Sequence, residues 1–156
     1  MRTYLQCMVV VLVASGVNAV STGVLAQTKK SAVCSIEIDD PAPGSSVGPS
    51  GDVSGTAKIP PNSHLWILAH KKTINAWWPQ GGAETHVENG HWTVNVTYGV
   101  DTDKGNFEVA AVAVGDSTSK DLDHWVETAP ARNYPPRPFP ASVEGCVPTK
   151  LTLVKQ

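Results

Sequence analysis

The stretch LWILAHKKTINAWWPQGG, Leu65 to Gly82, holds three of the chain's five tryptophans and governs how the rest is read. Leu65, Ile67 and Ala69 alternate with Trp66 and Leu68, so a strand here is apolar on both faces. Such a strand must be central, or covered on both sides. From Thr73 the pattern restarts, with Ile74, Ala76 and Trp78 on an apolar face and Thr73, Asn75 and Trp77 on a polar one. Pro79-Gln80-Gly81-Gly82 then turns the chain away.

Period-2 alternation recurs on either side of this stretch. Cys34, Ile36 and Ile38 oppose Ser35, Glu37 and Asp39, and the ladder stops at Asp40-Pro41-Ala42-Pro43-Gly44. A second strand is expected over Asp52–Ile59 and a short edge strand over Glu84–Glu88. After the hairpin signal Asn89-Gly90, Trp92, Val94, Val96 and Tyr98 share one face. Phe107–Val114 is another apolar strand, and Val147–Val154 is the last. Between them the period changes. Ser117 serves as N-cap, Leu122, Trp125, Val126 and Ala129 fall at helical spacing, and Pro130 ends the run. The five prolines from Pro130 to Pro140 require an extended loop. Laying this helix over the outer face of the Leu65 strand would cover both apolar surfaces at once.

The N-terminus reads as an export signal, with Arg2, the apolar run Met8–Ala14, and small residues at Val24-Leu25-Ala26. Cleavage after Ala26 leaves one domain, 27–156, with no membrane anchor, in the periplasm or secreted. It also removes Cys7. The remaining pair, Cys34 and Cys146, sits near the two ends of the mature chain and predicts one disulfide in an oxidising compartment. Closing so long a loop contributes roughly 4–5 kcal/mol in the chain-entropy model. The formal net charge is −2, and no basic run appears, which argues against nucleic acid and anionic lipid as partners.

Six segments occur in a fixed order: Pro41–Val47 (PAPGSSV), Val53–Ala57 (VSGTA), Leu65–Ile67, Trp78–Gln80, Asn89–Trp92 and Phe107–Ala110. This series, over about residues 36–114, resembles bacterial immunoglobulin-like domains of exported proteins. The resemblance implies an all-β, immunoglobulin-like β-sandwich of about seven strands, here with one short helix inserted before the last strand. It also implies that Trp66 is the core tryptophan of the third strand. The chain departs from the pattern in placing its cysteines on the terminal strands and in carrying the helix and the proline-rich loop. The resemblance does not specify an activity.

Four rings are assigned to packing: Trp66, Trp78, Trp92 and, on the helix stripe, Trp125. Trp77 is left facing out, where Trp77, Thr73, Asn75 and Gln80 form a candidate ligand-binding face, an aromatic ring flanked by amides. Asp101–Asn106 has the oxygens of a calcium loop, but Val112 stands where its bidentate glutamate belongs, so a tight turn is the reading. The histidines His64, His70, His86, His91 and His124 are scattered without metal-ligand spacing, and no cofactor or metal is expected. No nucleophile motif is present. The expected function is a non-catalytic interaction module for a protein partner. A carbohydrate or envelope-glycan module using Trp77 is the alternative, and a hydrolase assembled across loops is the third.

Overall fold

The computed structural model describes residues 33–156; the export signal expected over 1–26 lies outside them. The strands are β1 (Ser35–Asp40), β2 (Ser46–Val47), β3 (Ser50–Lys58), β4 (Ser63–Lys71), β5 (Trp78–Pro79), β6 (His91–Thr97), β7 (Gly105–Gly115) and β8 (Thr149–Lys155), with helix α1 (Asp116–Thr128) between the last two. They form two sheets, ordered β1-β3-β6 and β2-β8-β7-β4-β5. The expected all-β sandwich with one helix before the last strand is present, with eight strands where about seven were expected. The additional count comes from two-residue strands, too short to show alternation.

Between the sheets lie the inward faces that the alternation marks out. Trp92, Val94 and Val96 from β6, with Tyr98 just after it, meet Leu65, Ile67 and Ala69 from β4 and Phe107, Val109, Ala111 and Ala113 from β7. Cys34 and Cys146 form the expected disulfide, with Cα atoms 5.2 Å apart, and Cys146 is buried against the same core.

The other faces of β4 and β7 carry Trp66, Leu68, Ala110, Val112 and Val114, and these pack with Leu122 of α1 in a second apolar layer. Trp66 Nε1 donates to Ser119 Oγ at 2.9 Å, which fixes the helix across the strand. The helix therefore lies where the two-sided apolar pattern of β4 requires cover. Trp66 is fully buried, but not where the immunoglobulin resemblance places it. Leu65 and Ile67 point between the sheets, so strand parity sends Trp66 outward beneath the helix. The helix starts at Asp116, two residues from the expected start, and Gly115 caps it without a side-chain bond.

Two expected strands are absent. Residues 72–76 form a turn: Ile74 N–H donates to Lys71 O at 2.9 Å, and His70 Nδ1–H donates to Ile74 O at 2.7 Å. Residues 84–88 contribute only isolated bridges, Leu65 to Thr85 and Glu88 to His91. The last strand begins at Thr149, leaving Val147 exposed.

Gly55 of β3 lies under the Trp92 ring. A Cβ built there would sit 2.7 Å from that ring and 2.0 Å from the Glu37 carbonyl oxygen, whereas one at Gly51 meets nothing. The Gly55→Ala variant is expected to lose about 1–3 kcal/mol of stability through overpacking. Gly51→Ala should stay within about 1 kcal/mol of the parent; urea denaturation of the two variants checks the contrast.

Candidate functional site

Because the turn at 72–76 interrupts the extended chain, the parity counted from Ile74 does not carry through to Trp77 and Trp78. Their roles are the reverse of those expected. Trp77 is 3% exposed and belongs to the layer beneath the helix. Its ring stacks on His70 with centroids 3.9 Å apart and meets the edge of Phe139 at 4.8 Å. Lys150 Nζ stands 4.9 Å above it. Its backbone pairs with Arg137 in both directions, at 2.8 and 3.3 Å.

The face proposed for ligand binding around Trp77 therefore does not exist as such. Thr73 and Asn75 sit in the exposed turn. Gln80 is buried and bonded at both ends of its amide: its Nε2 donates to Trp78 O at 2.9 Å, and its Oε1 accepts from Thr97 N–H at 2.8 Å. Gln80 thus ties β5, in one sheet, to β6, in the other.

Trp78, expected in the core, is instead half-buried on a groove of about 730 Å³. That volume lies within the range of small-ligand pockets. Ile74, Val100 and Tyr134 line it from three separate loops, and they are 45%, 65% and 55% exposed. Gly81, Gly82, Asn95 and Thr97 also line it.

The proline-rich segment brings Tyr134 to this groove. Proline has no N–H and cannot hold a ladder, so indole N–H groups bind the segment by its carbonyls. Trp78 Nε1 donates to Tyr134 O at 2.9 Å, and Trp125 Nε1 donates to Pro135 O at 3.0 Å. Asn133 and Tyr134 are consecutive residues in the left-handed region, with φ of 56° and 48°. For a bulky side chain this is an outlier, costing of order 1–3 kcal/mol. No family model matches the chain, and no curated protein matches it.

The charged groups at the groove are matched. Lys71 Nζ bonds Asp103 Oδ1 at 2.9 Å, and Asp103 Oδ2 accepts from Val100 N–H at 3.0 Å. The lysine first, then that backbone bond, holds the Asp103 carboxyl below its ordinary value. Asp103 belongs to the tight turn expected in place of a calcium loop. Opposite the turn, the buried Lys155 donates to Tyr98 O at 2.8 Å and Val100 O at 2.5 Å, anchoring Val100 on the rim. Tyr98, buried in the core, has its phenol pushed up to about 12 by burial.

Away from the groove, His64 stands between two carboxylates. Its Nδ1 bonds Glu84, and its Nε2 bonds Asp116 Oδ1 at 2.9 Å. Each carboxylate takes a different ring nitrogen, so the acids flank the imidazole and do not converge on a common point. Among the described residues, no three metal-ligating side chains converge.

The Asp116 bond raises the His64 pKa above 6.5, assisted by Glu84 and opposed by burial. A pKa raised on folding stabilises fully below the unfolded value and loses that contribution as pH rises through the folded one. The urea midpoint should therefore fall as pH increases from 6.5 through the folded pKa, and His64→Gln should flatten this part of the profile. Trp77→Ala is expected to cost about 3–5 kcal/mol, as for a core aromatic; a surface ring would cost far less. Denaturant titration of that variant decides which.

Proposed function

We propose that this chain is an exported, non-catalytic immunoglobulin-like module that binds a protein partner in the cell envelope or outside the cell, with the groove at Trp78 as its seat. The observation that carries the reading is where the exposed apolar residues fall. Five large apolar side chains are exposed among the described residues, and three of them, Ile74, Val100 and Tyr134, line this one groove. Apolar surface gathered at one concavity marks interaction sites, whereas single exposed residues do not.

The immunoglobulin-like assignment is supported by strand order. The first, third and sixth strands form one sheet, and the fourth, seventh and eighth lie together in the other, which corresponds to the A-B-E and C-F-G partition of that fold. Export is supported by the disulfide, a bond that persists in oxidising compartments. Among the described residues, no helix is long and apolar enough to cross a membrane.

Tyr134 offers a test that separates binding from stability. More than half of Tyr134 is exposed and its backbone is strained, so in Tyr134→Gly the relief of the left-handed conformation offsets the ring burial that is lost. Its thermal midpoint should stay close to that of the parent. Affinity capture from the cell envelope with parent, Tyr134→Gly and Trp78→Ala chains should recover a protein that the parent retains and both variants lose. A partner held equally by all three would place the interface elsewhere. Groove-dependent binding of a neutral oligosaccharide, with no protein recovered, would make the module a glycan binder.

A further inference from the structure

We propose that the groove takes an extended peptide segment of the protein partner, added as a fourth strand to the open edge of β6 at Thr93 and Asn95, with uncharged apolar side chains against Trp78 and Tyr134. This rests on the groove being a protein-binding seat. The edge follows from the ladder. β6 is the last strand of its sheet, and Tyr98 N–H donates to Pro49 O while Ala57 N–H donates to Gly90 O. Even-numbered residues of β6 therefore spend their backbone groups on β3, and odd-numbered ones point away. At two of the odd positions the N–H is already taken. His91 pairs with Glu88 at 2.8 and 2.9 Å, and Thr97 N–H goes to Gln80 Oε1. Between these stops, Thr93 and Asn95 present two N–H and two C=O groups that no backbone bond among the described residues takes up.

A row of alternating donors and acceptors is matched by another extended backbone, which is the basis of peptide recognition by strand addition. The window is short, and it opens where Asn95 lines the groove. A strand laid there would place every second side chain on the groove side. The groove selects for uncharged side chains, because Lys71 and Asp103 neutralise each other and the remaining rim is apolar at Ile74, Val100 and Tyr134. A saccharide could stack on the rings, but it has no backbone with which to satisfy the β6 edge.

The main comparison alters the peptide and leaves the protein unaltered. Uncharged heptapeptides are selected from a displayed library on the full mature chain, and a selected peptide is remade in two forms, each N-methylated at alternate residues. Only one set of alternate N–H groups can face β6. One form should lose at least tenfold in affinity and the other should bind as the parent peptide does. On binding, the amide protons of Thr93 and Asn95 should pass from fast to slow hydrogen exchange. Equal binding by both methylated forms, still lost on Trp78→Ala, would overturn strand addition and leave the groove as a protein seat. Slow exchange of Thr93 and Asn95 in the free protein would also overturn it, by showing the edge closed. Selection of no peptide, with chitotetraose binding in a Trp78-dependent way, would overturn both readings.

Discussion

The outer face of β4 cannot be left to water. Trp66 and Leu68, with Ala110, Val112 and Val114 beside them on β7, make an apolar surface on the side of the sheet that a simple sandwich would expose. Burial of one large apolar side chain is worth about 1.5–3 kcal/mol, so an element that covers this surface is strongly held. Leu122 of α1 supplies the cover, and the Trp66–Ser119 hydrogen bond sets its register. The chain thus has three layers (sheet, sheet, helix) with β4 and β7 shared between two cores. The groove depends on this arrangement, because the helix carries Trp125 and leads directly into the proline-rich segment.

That segment explains why so many tryptophans cluster here. Its prolines lack N–H groups, so it cannot join a sheet in the ordinary way, and its carbonyls still need donors. Trp78 and Trp125 give their indole N–H to two successive carbonyls, of Tyr134 and Pro135. Trp77 contributes its backbone to Arg137 and its ring to Phe139. Arg137 in turn reaches back to Asp121 on the helix at 3.7 Å, and burial holds its guanidinium below the ordinary arginine value. The rings are thus both filling and grip, and what they hold is the chain itself. A consequence is that Tyr134 is fixed in a strained conformation with its ring outward, an arrangement that core packing alone does not require.

Much of this was legible in the residue pattern, and what was not has a common cause. Alternation in Ile36–Ile38 and Trp92–Tyr98 marks strands whose inward faces belong to the core found here, the apolar run Phe107–Val114 marks a further strand, and helical spacing marks Leu122 and Trp125. The double-sided pattern of Leu65–Leu68 points to the covering helix. Parity failed at Trp77 and Trp78, because it holds only while the chain stays extended. The turn that breaks it is closed by His70 capturing the Ile74 carbonyl, a side-chain bond that no periodicity records. The groove was illegible for a related reason. Ile74, Val100 and Tyr134 come from three loops, and only the completed sandwich places them together. The one local sign was Asn133-Tyr134 directly before Pro135, since asparagine tolerates the left-handed region and proline disfavours the helical one in the residue before it.

The same contacts that stabilise the sandwich also define its open ground. Gln80 joins the two sheets and, in doing so, closes β6 at Thr97; the Glu88–His91 bridge closes it at the other end. An exposed strand edge invites uncontrolled pairing in proportion to its free length. Among the described residues, only Thr93 and Asn95 leave both backbone groups free along this edge, which keeps that hazard small. A window this short contributes few hydrogen bonds, each worth only about 0.5–1.5 kcal/mol net, so backbone pairing alone could not hold a partner. Affinity must come from apolar burial close by, and the exposed Ile74, Val100 and Tyr134 lie on the groove that Asn95 borders. Under the proposed strand addition, edge and groove act together, because Asn95 belongs to both.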